Sequence, residues 1–198
     1  MRTALVKNLL TPGLISAGLA AFSASPAAWS QSSSLDAHIH GEAELTIAFD
    51  GKHLEMQLLS PAANILGFEH APANDEQRER VHHAENILQN ANALFEFRGT
   101  DCASSFVSVE MPYKDLSQHK HRHDNSHAHG RHTEEGHESH SEVVANYVFT
   151  CDSSQLARIQ VLLLDEFPAI ENLDAQWITS IKQGAQELSA NKPWIDLR

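Results

Sequence analysis

Residues 42–58 admit few folds. Ala43, Leu45, Ile47 and Phe49 alternate with Glu42, Glu44, Thr46 and Ala48, and Leu54, Met56 and Leu58 alternate with Glu55 and Gln57. A period of two gives each strand one apolar face. Between the runs stands Asp50-Gly51, a dipeptide suited to a two-residue hairpin turn because glycine tolerates positive φ. Closing the hairpin there sets Ile47 opposite Leu54, Leu45 opposite Met56 and Ala43 opposite Leu58. All three pairs are apolar, so pattern and turn agree. The other face carries His38, His40, Glu42 and Glu44, and side chains two apart on a strand point the same way, which lets His38 and His40 share one ion.

A second stretch has the opposite character. His119, His121, His123, His127, His129, His132, His137 and His140 are eight of the fourteen histidines, and 119–140 contains no Leu, Ile, Val, Phe or Trp. Such a segment has nothing to bury and cannot offset the entropy of ordering, so it reads as a mobile loop. Neutral imidazole is a good ligand for Zn, Cu, Ni and Co, and short His-rich tracts are a compositional sign of metal binding. Asp124, Glu134, Glu135 and Glu138 can complete a coordination shell. The plainer alternatives are a solvated spacer or a charge switch near the histidine pKa.

Apolar runs at 102–111 and 142–151 flank this tract and predict two more strands. With Cys102 across from Cys151, Val109 meets Val144 and Phe106 meets Tyr147, and the tract becomes the tip of that hairpin. Two cysteines in an exported chain most simply form one disulfide, stabilising by about 4 kcal/mol in the chain-entropy model. A shared Cys/His zinc site is the competing reading. Between the hairpins, Ile65, Leu66 and Phe68 mark a packed helical turn. Val81, Ala84, Leu88 and Ala91 give the spacing of a buried helix stripe, capped by Asn74 or Asp75. His82 and His83 on that helix diverge by about 100° and read as surface residues. Beyond Cys151, the pattern predicts a strand over 158–164, a short helix from Phe167-Pro168 through Leu173, a strand over 175–181 broken by Gly184, and a last strand over 185–188. Trp177, Trp194 and Phe167 read as core or cap residues. The expected fold class is α+β: mainly antiparallel sheet, a few helices, and a long disordered His-rich hairpin loop.

The first thirty residues look like a secretory signal. Arg2 and Lys7 precede the apolar run Leu9 to Phe22, which is short and interrupted by Pro12 and Gly13, and Ala28-Trp29-Ser30 offers a small-x-small cleavage site before Gln31. An uncleaved anchor is the alternative. The expected organisation is a signal peptide at 1–30 and a single metal-binding domain at 31–198, with 113–141 as a flexible insertion. Net charge is −12, and removing Arg2 and Lys7 with the leader makes it −14. An acidic chain is a poor partner for nucleic acid or an anionic membrane surface and suits cations. In a Gram-negative cell the compartment would be the periplasm, with no stable membrane insertion after cleavage.

No H-E-x-x-H, G-x-S-x-G or phosphate-binding glycine loop is present, so the chain reads as a non-enzyme. A hydrolase using metal-activated water with Glu69 as base is the distant rival. His38, His40, Glu69 and His70 form the second metal candidate, because His-x-His plus a remote histidine and an acid supplies the N/O ligands zinc prefers. Spacing alone supports this weakly, since residues about thirty apart must meet.

The run His38-Ile-His40-Gly41-Glu-Ala43-Glu-Leu45, followed by Leu59-Ser60-Pro61-Ala62-Ala63-Asn64-Ile-Leu-Gly67-Phe68-Glu69-His70-Ala71-Pro72, resembles the ZrgA-type family of periplasmic zinc-binding proteins. Phe167-Pro168 with Ile170, and the cysteines around a His-rich insert, fit the same likeness. The resemblance implies that His38, His40, Glu69 and His70 occupy family motif positions, that Zn(II) is the ion, and that the chain works beside the periplasmic component of a zinc ABC importer. A buffer for excess zinc and a metallochaperone loading an exported zinc enzyme are the alternatives. Imidazole accepts other divalent transition metals equally well in kind.

Overall fold

The computed structural model describes residues 39–113 and 141–198. The leader at 1–30, His38 and the tract from His119 to His140 therefore lie outside the described residues. In chain order the elements are β1 (Glu42–Asp50), β2 (His53–Pro61), α1 (Ala62–Leu66), α2 (Asp75–Gln89), α3 (Ala91–Leu94), β3 (Phe95–Arg98), β4 (Cys102–Glu110), β5 (Glu142–Cys151), β6 (Arg158–Val161), α4 (Leu163–Glu166), β7 (Asn172–Thr179), β8 (Gln183–Leu188) and β9 (Trp194–Asp196).

The first hairpin forms, with its turn one residue later than expected. Asp50 pairs with His53 and the loop is Gly51-Lys52; Gly51 takes the left-handed φ of +61°. Ile47 consequently faces Met56, Leu45 faces Leu58 and Phe49 faces Leu54. Each partner moves two residues along, an even step, so every apolar side chain keeps its face.

Six strands make the main sheet in the order β4-β5-β2-β1-β7-β8, and β3-β6-β9 make a second sheet. All ladders are antiparallel except β1 with β7. Leu45, Leu58, Ala145, Tyr147, Phe149 and Leu173 bury one face of the main sheet. Burying a leucine side chain stabilises by roughly 1.5–3 kcal/mol. The second sheet meets this core through edge-to-face rings, Phe95 on Tyr147 at 5.2 Å and Phe97 on Phe149 at 4.9 Å. On α2, Val81, Ala84 and Leu88 are buried as the spacing predicts, and Asn74 caps the helix by accepting from Gln77 N at 2.9 Å. The opposite face of the main sheet is exposed and carries Glu42, Glu44, Asp50, Glu55, Glu110, Glu142, Asp174 and Glu187. Its six strands contain no lysine or arginine.

Cys102 lies opposite Cys151 and the two form a disulfide. The expected partners further along the ladder are displaced. A bulge between Ser104 and Phe106 sets Phe106 against Val148, Val107 against Tyr147 and Val109 against Ala145. Ser105 is the extra residue, its hydroxyl donating to Val148 O at 3.1 Å, and Phe106 is turned outward.

The C-terminal third departs most from expectation. The strand from Arg158 stops at Val161, and the leucine run continues as α4, with Leu163 and Leu164 both buried. Phe167-Pro168 ends that helix where the pattern had one beginning, Phe167 N donating to Leu163 O at 3.0 Å, and proline cannot continue the turn. The next strand starts at Asn172, and Gly184 lies inside β8 because Trp177 covers it from β7. Neither β3 nor β9 was anticipated; strands of four and three residues are too short to show a period. Among the described residues no helix is long and apolar enough to cross a membrane.

Candidate metal centre

The site begins with Asn64. Pro61 ends β2, α1 follows directly, and Asn64 is carried inward to 4% exposure. A buried amide needs partners. Its Oδ1 accepts Gly41 N at 2.9 Å and its Nδ2 donates to Glu42 O at 2.8 Å, with Ser60 Oγ at 3.4 Å. One side chain thus fastens the start of β1 to α1 and fixes the backbone beside His40.

Gly67 closes α1 in the left-handed region and turns the chain into Phe68-Glu69-His70. Phe68 is buried and anchors this loop, while His70 is exposed. Glu69 Oε1 lies 3.2 Å from His40 Nε2. The Glu69 carbonyl accepts from the Tyr113 hydroxyl and lies 3.3 Å from Ser141 Oγ, and Ser141 O accepts Ala62 N at 2.7 Å. Among the described residues, Ser60, Asn64 and Ser141 are three of the four buried polar residues, the other being Glu85. They form the scaffold beneath the His40–Glu69 pair.

His70 Nδ1 sits 2.9 Å from Ala71 O, and its ring stacks on Phe68 at 5.2 Å. A nitrogen facing a carbonyl carries the proton, which leaves Nε2 with the lone pair. Backbone carbonyls orient metal-ligating histidines in this way.

Sequence spacing asked residues about thirty apart to meet, and His40 and Glu69 do meet. His70 follows Glu69 on the same loop. Among the described residues no group of three or more His, Cys, Asp or Glu stands close enough to hold an ion. The cysteines are joined to each other, so the shared Cys/His zinc site is not what forms. His82 and His83 are exposed on α2. An approximately 850 Å³ depression on the exposed sheet face is lined by residues such as Thr46, Glu55, Gln57, Asn146 and Gln176 and holds no histidine, so imidazole chemistry does not belong there. Sequence reasoning missed Ser60, Asn64, Tyr113 and Ser141. The available signal was modest: Tyr113 and Ser141 are the residues that bracket 114–140.

An exposed imidazole beside a carboxylate, each next to backbone tied down by hydrogen bonds, is donor chemistry for a divalent cation of the zinc type. That chemistry agrees with the comparison to known families. The chain belongs to the ZrgA family of zinc uptake proteins, whose family model matches residues 37–197 and so takes in every described element. Membership gives the chain a zinc-uptake role, and the family is described by uptake, with no enzymatic activity in its description. No curated protein matches the chain.

Proposed function

We propose that this chain captures Zn(II) in the periplasm and hands it to the binding component of a zinc ABC importer. His40, Glu69 and His70, with His38, form the ordered site. The tract of His119, His121, His123, His127, His129, His132, His137 and His140 supplies many weaker, interchangeable sites that raise the local zinc concentration. The chain performs no chemistry on its cargo, and the domain spans 31–198 once the leader at 1–30 is removed.

The observation that carries this reading is the His40–Glu69 pair, brought together over 29 residues and supported by buried Asn64. Its position adds to the argument. Tyr113 and Ser141, the described residues that flank 114–140 in sequence, both lie against Glu69, next to the His40–Glu69 pair. The acidic exposed sheet face favours cations in general. Release follows from ligand chemistry, because a ligating imidazole must be neutral and protonation frees the ion.

Growth under zinc chelation tests the role. A strain lacking this chain should grow poorly with chelator, recover on added zinc, and be restored by the wild-type chain but not by His40→Ala/His70→Ala. Normal growth of the deletion strain under chelation, with sensitivity to excess zinc instead, would assign the chain to buffering.

A further inference from the structure

Tyr113 and Ser141 are 28 residues apart, yet their hydroxyl oxygens are in contact with each other and with the carbonyl oxygen of Glu69; with one proton each, Tyr113 donates to the carbonyl and Ser141 donates to the Tyr113 hydroxyl. Tyr113 has a φ of +66° and is the sole non-glycine with positive φ among the described residues. That conformation is strained for a residue with a Cβ, and such residues persist where the surroundings hold them. Here the phenol is held by Glu69 and Ser141. Ser141 is in turn buried, and its carbonyl takes the first amide of α1. The backbone of Glu69 is therefore fixed by the Tyr113 hydroxyl, itself held by that of Ser141, and the two arrive from distant parts of the chain.

We propose that Tyr113 and Ser141 are positioning residues for zinc. Their hydroxyls fix the Glu69 carbonyl, which keeps the Glu69 carboxylate beside His40 and sets the course of the chain into His70. Neither hydroxyl touches the ion. This inference rests on the reading that His40, Glu69 and His70 bind zinc. A bland alternative exists: the two hydroxyls merely tie Tyr113 and Ser141 to the Glu69 loop and stabilise the fold. Such a tie affects folding stability alone; positioning affects the metal.

The test uses the mature chain with its His-rich tract intact, loaded with one equivalent of zinc chloride in competition with a chromophoric chelator, and separately with one equivalent of cobalt(II). Outer-shell partners of metal ligands are commonly worth 10–100-fold in affinity. Tyr113→Phe/Ser141→Ala should weaken the tightest zinc step by about tenfold and alter the visible cobalt spectrum, while Ser141→Thr, which keeps the hydroxyl, stays near wild type. His40→Ala/His70→Ala is the reference. If it weakens zinc binding and the double hydroxyl variant, folded, binds both metals like wild type, the positioning role is wrong and the zinc site stands. If the reference also changes nothing, the site reading fails and this inference falls with it. Should the double variant not fold, Tyr113→Phe alone decides by the same readings.

Discussion

Glu69 Oε1 lies 3.2 Å from His40 Nε2, and the two side chains are 36% and 67% exposed. A pair this open to solvent contributes little to stability. The protein nevertheless buries Ser60, Asn64 and Ser141 beneath it, and buried polar groups are costly unless every partner is supplied. Those groups join β1, α1 and the Glu69 loop through backbone partners, while the His40–Glu69 pair itself adds little to the fold; under the proposed zinc site its worth lies in binding. Glu69→Gln should therefore shift the metal-free unfolding free energy by less than about 0.5 kcal/mol while clearly weakening zinc binding. Thermal unfolding and chelator competition on the same preparation check both halves. A large loss of stability with unchanged zinc affinity would make Glu69 a structural residue.

Zinc retention should fall on acidification. Protons compete with the ion for imidazole nitrogen, so binding weakens as pH drops through the range where histidines charge. Equilibrium dialysis at pH 7.5 and pH 5 measures it. Full retention at the lower pH would point to ligands other than histidine.

Tyr147 predicts an alkaline limit to stability. Its ring is buried, and burial pushes the phenol above its ordinary value. An exposed phenol titrates near 10. Above that pH the unfolded chain loses a proton that the folded chain keeps, so stability is intact below pH 10 and declines as pH rises past it. The hydroxyl also has no hydrogen-bond partner among the described residues. Tyr147→Phe should accordingly be neutral or stabilising by about 1 kcal/mol and should flatten the alkaline decline. Urea unfolding across pH 8–11 reads both, and a strong destabilisation would reveal a partner for the hydroxyl.

Gly184 should not tolerate even alanine. A Cβ there would lie 2.3 Å from Trp177 Cζ2, the cross-strand neighbour. Overpacking of this kind costs about 1–3 kcal/mol. Gly184→Ala should lower the unfolding midpoint and change tryptophan emission. If neither moves, Trp177 does not cover this strand.

How much of this was legible beforehand follows from the range of each signal. The β1–β2 alternation survives any even error in register, so Leu45 and Leu58 were placed in the core although the turn was misplaced by one residue. Cys102 and Cys151 marked the ends of β4 and β5, but no periodicity reports a bulge, and Ser105 displaced every partner beyond it. The leucines after Val161 read as strand because a short apolar run is ambiguous between helix and strand, and Leu163 and Leu164 are buried in a helix, α4. The site divided in the same way. His40, Glu69 and His70 were visible as residue types and were grouped with His38 by their ligand chemistry, and the likeness to a known family strengthened that grouping. Asn64, Tyr113 and Ser141 carry no residue-type signal for metal and act through hydrogen bonds that only the folded chain defines.

Calorimetric titration of zinc into the mature wild-type chain and into His40→Ala/Glu69→Gln/His70→Ala bears most directly on the central claim. The wild type should show one tight step followed by weaker ones, and the triple variant should lose the tight step while keeping the weaker ones of the His-rich tract. Superimposable titrations would mean that zinc is held elsewhere and that the pairing of His40 with Glu69 has no part in capturing it.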